Sequence, residues 1–400
     1  MRILTVLESP SWIERHIVGT LIDMGHEVTC HAYGAYVGEF YGRARRAERD
    51  DKNRRLLECA RALKAEGLDL IFCYLSDDFL TVETARHLAE LAVPIVNYSV
   101  DTNSQWHRLT RTARYFTLTL CGQRENMDNL ARHGAKVFYF PFAGLPPTAA
   151  EEASTFMPAA PVTFVGTPIP YRAAVLAAVE RAGIPLAVYG RGWDDAAHSI
   201  EGPPNWEKSL SDFYHYGWTR LRGDGLAPLM RSIARRLPGL GARPAAEPSG
   251  TEDLSATVKQ GFVPDGALAA LFRNSAVNIG ITRLESPRGG RAGRQQVKVR
   301  DFEVPLAGGF YLVEDMPEHR EFFAVGKEID TWRTVDELID KIRYYLAHDA
   351  ERRAIADAGR RRALAGQTWA HRFASLFEAL ALPAAAPSQA RNNASRETVT

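Results

Sequence analysis

Along this chain, short apolar runs alternate with stretches whose apolar residues recur every three or four positions. Residues 3–7 read as a buried strand, because a run of that length without polar alternation suits a strand covered on both faces. Residues 12–24 read as a helix, with Ile13, Ile17, Leu21 and Met24 at turn spacing. The rhythm continues through strands at Glu27–Ala32, 68–75, 94–100, 116–121 and 136–140, with helices near 82–91 and 124–133. Strand and helix in alternation predict a parallel sheet with helices on both faces.

From 141 to 161 the composition changes, with five prolines and the acidic step Glu151-Glu152, and the segment reads as a linker. The alternation restarts with strands at 162–166, Leu186–Tyr189, 276–281 and 309–313 and a helix at 171–182. The expected organisation is a first α/β domain over 1–145, a linker over 146–161 and a second α/β domain over 162–365. Residues 194–257 break the rhythm with Gly202-Pro203-Pro204 and Pro238-Gly239, and form an insert. Its centre, 226–237, is a basic helical pattern carrying Arg231, Arg235 and Arg236. That pattern suits a solvated helix or, alternatively, a contact with a membrane surface or acceptor. Residues 335–380 are helical in pattern, with Leu338, Ile342, Tyr345 and Leu346 on one face. A last helix is expected over 366–382, and a disordered, Pro/Ala/Ser/Asn-rich tail over 383–400.

Composition narrows the function classes. The 400 residues are 46% hydrophobic and 24% charged, the balance of a soluble globular protein. Net charge is +1, so no global field recruits nucleic acid, and an anion site must come from local clustering. Four cysteines, Cys30, Cys59, Cys73 and Cys121, show no CxxC spacing. Cys30, Cys73 and Cys121 lie in strand-like runs and are expected as small buried hydrophobes in a reducing compartment. The first apolar run ends at Glu8, too soon for a signal peptide, and nothing approaches the roughly 18 uncharged residues of a membrane span. The location reads as cytoplasmic, with peripheral contact at the inner face of the membrane through the insert as an option.

The chemistry concentrates in 283–309, RLESPRGGRAGRQQVKVRDFEVPLAGG. Six cations, Arg283, Arg288, Arg291, Arg294, Lys298 and Arg300, stand there against one nearby acid, Glu285. Gly289, Gly290 and Gly293 let backbone N–H groups approach a ligand, and the loop follows a strand, where open α/β sheets bind ligands. An anion, most simply a diphosphate, fits these features; the alternative is a mobile loop with solvated arginines. Glu303 suits either an ion pair or a ribose diol. A second feature is Gly166-Thr167 after a strand, with Arg172 at a helix start, a place where free N–H groups meet anions. Gly190 follows another strand. GxGxxG after the first strand, GxxxxGK[ST], GxSxG, Asp-x-Asp and HxxxH are all missing, which disfavours dinucleotide, P-loop, serine-hydrolase and metal chemistry.

The separated motifs KVRDFEVPLAGGFYLVEDMPEHREFF, GKEIDTW, DELIDKIRYYL, ERRAIADAGRRRAL and QTWAHRF, from Lys298 to Arg372, resemble the C-terminal half of the CgeB-type, spore-maturation-protein-like glycosyltransferases. The likeness extends more weakly back to Val162. It implies the α/β GT-B fold: two Rossmann-like domains facing each other across a cleft, with a C-terminal helix crossing back to the first. It further implies a nucleotide-sugar donor as substrate, no cofactor, and a glycan or other small-molecule acceptor. By the resemblance Glu303 takes the ribose, Gly166 and Arg172 fall where such folds contact the diphosphate, and Lys298 and Arg300 fall just ahead of the acid; Thr167, Gly190 and Arg294 are further candidates for the donor side. Gly308 and Gly309 match the turn after the donor-binding helix. Two positions depart from the pattern: Gln295 stands where retaining relatives often carry a second acid, and Gln367 where the closing motif often has histidine.

Glycosyl transfer without an indicated metal leaves the departing diphosphate to cations and helix N-termini. An inverting reaction also needs a base. Asp101, just past the strand at 94–100, is the first candidate and His16, on the first helix, the second. Asp101 could instead cap its turn, and His16 could line a helix surface. Three rival readings remain: a nucleotide-sugar epimerase of the same architecture, a non-catalytic anionic-polymer-binding protein, and an inactive scaffold.

Overall fold

In β1 (Arg2–Leu7), β3 (Leu70–Tyr74) and β4 (Ile95–Ser99) nearly every residue is buried, which explains their continuous apolar sequences. They form the middle of a six-stranded sheet with β2 (Glu27–Ala32), β5 (Leu118–Cys121) and β6 (Val137–Tyr139), in the order β2-β1-β3-β4-β5-β6. The computed structural model describes residues 1–8, 12–34, 43–193, 254–284 and 293–383. A second sheet holds β7 (Val162–Val165), β8 (Leu186–Tyr189), β9 (Val277–Gly280), β10 (Tyr311–Glu314) and β11 (Asp330–Trp332), in the order β11-β10-β9-β7-β8. Every pairing in both sheets is parallel. Strand order reverses between β1 and β3 and again between β7 and β9. Each reversal opens a crevice at the carboxyl ends of its strands.

The first helix begins as a π-helical turn over Glu14–Val18 and continues as α1 (Gly19–Asp23). Three more helices of the first domain are α2 (Arg43–Ala65), α3 (Val82–Ala89) and α4 (Thr102–Gln105). They are followed by α5 (Met127–Arg132) and by α6 (Ala149–Glu152), the latter within the proline-rich connection. A capping box closes the start of α6, with Thr148 and Glu151 satisfying each other's backbone N–H groups. The second sheet is flanked by α7 (Pro170–Arg181), α8 (Leu268–Asn274), α9 (Arg300–Leu306) and α10 (His319–Phe322). The chain ends in α11 (Val335–Ala347), α12 (Asp349–Gly366) and α13 (Trp369–Ala379).

The last helix leaves the second domain and completes the first. Trp369, Phe373, Leu376 and Phe377 are fully buried and share one core with Ile3, Leu7, Ile17, Leu21, Phe72 and Tyr98. Each such side chain contributes roughly 1.5–3 kcal/mol by leaving water. The chain therefore crosses between the domains twice, and the crossings are bonded together. Gly144 N–H donates to the Gln367 carbonyl at 3.2 Å, and Trp369 N–H donates to the Gly144 carbonyl at 3.3 Å. A Cβ on Gly144 would push the Leu306 side chain aside and press tightly on the α9 backbone at 3.3 Å, so glycine favours the close approach of the crossing to that helix.

One expectation is corrected here: Cys30 is exposed on the edge strand β2, whereas Cys73 and Cys121 are buried. The sheet ends at β2, so only one of its sides is paired. The basic pattern at 226–237, most of the 194–257 insert and the tail at 384–400 lie outside the described residues. Among the described residues, no helix is long and apolar enough to cross a membrane.

Candidate functional site

At the reversal between β7 and β9, two cations stand without an ion pair among the described residues. Arg172, in the first turn of α7, is buried. Its Nη1 donates to Thr167 O at 2.9 Å and to Thr167 Oγ1 at 3.2 Å, while Nε has no partner. Burial brings the guanidinium down to about 10, against support from Tyr311 and Glu314. The Lys298 ammonium donates to the Ile281 carbonyl. Burial, and then the neighbouring Arg172, push it well below the usual lysine range, against Asp301 and Glu314. Among the described residues neither cation forms an ion pair. Removing charge from water without a counterion is costly, so this corner is electrostatically incomplete and favours an anion.

The backbone around it is built for close approach. Gly166 directly follows β7, with its N–H donating to Tyr189 O at 2.9 Å and its carbonyl accepting from Trp193 Nε1 at 2.7 Å. Gly190 has φ +137°, and a Cβ there would overlap the Gly166 carbonyl. The two glycines thus belong to one tight pair of strand ends, with Gly190 behind Gly166.

Glu314, at the end of β10 and fully buried, holds the opposite wall. Its Oε2 accepts from Thr282 N at 3.0 Å, Thr282 Oγ1 at 3.2 Å and Arg283 N at 2.9 Å. Its Oε1 accepts from Tyr171 Oη at 2.7 Å and pairs with Arg283. Gln295 closes the same loop, donating to Thr282 Oγ1 at 3.0 Å and Asp315 O at 2.7 Å. Arg283 is thereby committed to Glu314, and Arg294 is exposed. Arg288 and Arg291, with Gly289 and Gly290, lie outside the described residues.

Asp301, in the first turn of α9, accepts Lys298 N–H at 2.8 Å and Tyr311 Oη at 2.8 Å, with His319 Nε2 at 3.4 Å. That buried set fixes the start of the helix carrying Arg300 and Glu303. Arg300 pairs with Glu303 and stacks over Phe272, 5.6 Å from its ring centre. Glu303 lines an open recess of about 400 Å³ with His16, Arg15, Leu145, Leu268 and Phe272. The recess therefore joins the two domains. Gly308 and Gly309 lie behind it. Gly308 has φ +80°, and a Cβ on Gly309 would meet the Phe272 carbonyl at 2.6 Å, so backbone conformation explains the first and packing the second.

His16 is bound to the returning helix: Trp369 Nε1 donates to its Nδ1 at 3.0 Å. With Nδ1 accepting, the neutral ring carries its proton on Nε2. Burial lowers the imidazole below its usual range, so the ring stays neutral. His16 therefore presents a donor to the recess rather than the free lone pair a base needs.

Asp101 sits in the first domain but reaches the second, its Oδ1 accepting from Gln296 Nε2 at 2.9 Å. Gln123 clasps the adjoining Val297 at both backbone groups, 2.9 Å to its carbonyl and 3.0 Å from its N–H. The strand-like segment bearing Gln295 and Lys298 is thus strapped to the first domain. Asp101 also lines a second recess, of about 480 Å³, with Glu8, Tyr74, Ser76, Tyr98 and Arg108. Burial, followed by Asp101 and Asp78, raises the Glu8 carboxyl to about 7. Burial likewise raises Asp101, against the Gln296 hydrogen bond.

The structure thus brings Gly166, Thr167, Arg172, Gly190 and Lys298 together, and sets Arg300 and Glu303 one helical turn away. It keeps Asp101 and His16 in different recesses. Sequence reasoning missed Glu8, Gln123, Gln296 and Glu314. The one signal for Glu8 and Glu314 was an acid directly ending an apolar strand. Among the described residues, no three His, Cys, Asp or Glu side chains gather as a metal site.

Solved structures share the fold. Sucrose-phosphate synthase from Thermosynechococcus elongatus superimposes with a TM-score of 0.53 at 11% identity, over 95% of this chain and 99% of that one. Anabaena HepE in complex with UDP and glucose gives 0.51 at 14% identity, over 95% and 99%. The fold is GT-B: two parallel-sheet α/β domains facing a cleft, with a C-terminal helix returning to the first. A family model described as glycosyl transferase-like matches residues 226–378, which places the family signature on the second domain and the returning helix. No curated protein matches the sequence.

Proposed function

We propose that this protein is a glycosyltransferase that moves a sugar from a nucleotide-sugar donor, bound by the second domain, to an acceptor held by the first. The observation that carries the reading is the pair of unpaired cations, Arg172 and Lys298, at the β7/β9 reversal beside Gly166. A diphosphate supplies the missing charge, and stabilising it as it departs is the main electrostatic task of the reaction. Glu303, at the mouth of the interdomain recess, accepts the ribose hydroxyls once it exchanges its Arg300 contact for them. Transfer proceeds without a metal, the cations doing its work. The CgeB-type subfamily, a cytoplasmic setting in polysaccharide or glycoconjugate synthesis, and a membrane contact through the insert belong to the same proposal.

The test is a thermal-shift screen of UDP-, GDP-, dTDP- and CMP-sugars on the wild type and on Glu303→Ala. A ligand that binds the native state raises its apparent stability by mass action. UDP-sugars come first, because Anabaena HepE is seen with UDP. A shift with one nucleotide class, weakened in Glu303→Ala, is the expected result. No shift with any of them overturns the donor assignment.

A further inference from the structure

The recess at the carboxyl ends of β1, β3 and β4 contains a carboxyl group that the fold does not use. Glu8 is the first residue after β1, beside the β1/β3 reversal, the place where a sheet of this order binds ligands. Among the described residues its carboxylate makes no hydrogen bond or ion pair, unlike the other acids around it. Asp78 is paired with Arg108, both nearly buried. Asp101 is held by Gln296. The Tyr98 hydroxyl, buried at the same lining, has no partner among the described residues. Tyr74 completes the wall.

We propose, resting on the glycosyltransferase reading, that this recess holds a neutral, polyhydroxylated acceptor and that Glu8 takes the proton from its attacking hydroxyl. As the acceptor oxygen bonds to the anomeric carbon, its O–H bond breaks toward a Glu8 oxygen. The carbon–oxygen bond to the diphosphate breaks at the same centre, and the nucleoside diphosphate leaves with its charge beside Arg172 and Lys298. Glu8 ends protonated, and the transfer inverts configuration.

The charge balance of the recess selects the acceptor. Asp78 and Arg108 pair with each other, and the described charges that act on the unpaired Glu8, those of Asp101 and Asp78, are both acidic. A phosphate or carboxylate on the acceptor meets like charge there, whereas hydroxyls find carboxylate oxygens and the Tyr98 hydroxyl, and ring faces find Tyr74. Burial and the two acids Asp101 and Asp78 also place Glu8 near the working pH, at about 7, which is where a general base is most effective. Asp101 acts on Glu8 through its charge, and through Gln296 it is tied to the segment that carries Lys298. It is a positioning residue rather than the base.

The experiment measures release of nucleoside diphosphate from the UDP-, GDP-, dTDP- or CMP-sugar that gives a thermal shift. Methyl glucoside and methyl galactoside serve as neutral probes, and glucose 6-phosphate and glucuronic acid as charged ones. Neutral glycosides are expected to accelerate release, with a rate rising through a single ionisation near pH 7, and the charged probes are not. Glu8→Gln is expected to lose about 10²–10⁴-fold of the acceptor-dependent rate while keeping the nucleotide-induced thermal shift. Asp101→Asn, which keeps an oxygen for Gln296, is expected to move the half-point of the pH profile lower, a change that a purely structural role would not produce. The proposal is overturned by preference for the charged probes, by no response to the neutral ones in a protein that binds nucleotide, or by an unchanged rate and pH profile in Glu8→Gln. Should Glu8→Gln fail to fold, an unmoved profile in Asp101→Asn overturns it as well. A wild type that shifts with no nucleotide is the distinct failure of the donor reading.

Discussion

Replacing Arg172 by methionine removes a buried cation while keeping most of its packing, and the structure gives opposite signs for its two consequences. Among the described residues the guanidinium of the free protein has two hydrogen bonds, both to Thr167, and no ion pair. Losing hydrogen bonds from a charged donor costs about 1.5–3 kcal/mol each. Relief of the buried charge returns several kcal/mol. The two nearly cancel, so the free variant should melt within about 4 °C of wild type, which corresponds to roughly 1–2 kcal/mol for a domain of this size. Binding of a nucleoside diphosphate is different, because there the cation meets its counterion. Truncating one partner of a buried charge pair costs about 2–5 kcal/mol, which is roughly 30- to 4,000-fold in Kd. Calorimetric titration with a nucleoside and with its diphosphate separates the effects: only the diphosphate should weaken. Equal weakening of both ligands would refute the reasoning. So would a large loss of stability in the free variant with unchanged diphosphate affinity, which would make Arg172 a structural residue.

Three further outcomes follow from the packing and charges. Glu314→Ala removes the carboxylate paired with Arg283 and leaves Tyr171, Thr282 and two backbone N–H groups without that acceptor. Denaturant unfolding should show a loss of about 3–5 kcal/mol, and a loss under 1 kcal/mol would contradict the network. Trp369→Ala, in the returning helix, should cost about 3–5 kcal/mol and be seen first as unfolding of the first domain by proteolysis. Glu8 binds its proton more tightly folded, at about 7, than unfolded. As pH rises through the ordinary carboxyl range the unfolded chain therefore binds fewer protons, so this group makes stability fall with pH up to about 7 and stay level above. Melting curves of Glu8→Gln should lack that decline and lie above wild type at pH 8; parallel curves would show that Glu8 is not perturbed.

The parts of the fold legible in the sequence are those where burial is two-sided. β1, β3, β4, β7 and β9 are apolar runs because helices cover both faces, and no local alternative competes with that pattern. Among the elements that escaped, α2 and β11 did so for opposite reasons. The 23-residue α2 carries charge on almost every turn, and pairs such as Arg45–Glu48 and Arg54–Glu58 hold it as a helix without a strong apolar stripe. β11 has three residues beginning with Asp330, too few for a period of two to register. The candidate site divides similarly. Arg172 and Lys298 could be singled out as candidates because cations beside a strand-end glycine or running into apolar sequence are unusual, whereas Glu303 drew its role from the family resemblance. Gln123 and Gln296 were not, because an amide's role is set by which backbone or carboxylate the other domain brings to it. His16 was legible as a residue near the cleft but not as a donor, since its tautomer is fixed by Trp369, more than three hundred residues away in the chain.

That same distance bears on how the protein is made. The core holding Ile3, Leu7, Phe72, Tyr98 and Phe140 is closed by Trp369, Phe373 and Phe377, so the first domain to leave the ribosome is the last to be finished. About 230 residues separate β6 from α13, and at about 5–20 residues per second their synthesis takes roughly 12–46 s. Throughout that interval the first sheet has an uncovered apolar face. Nascent chains of this protein are therefore natural clients for chaperones that shield apolar surface. A stop codon or nick that removes only the last helix would leave an aggregation-prone first domain beside an intact second one.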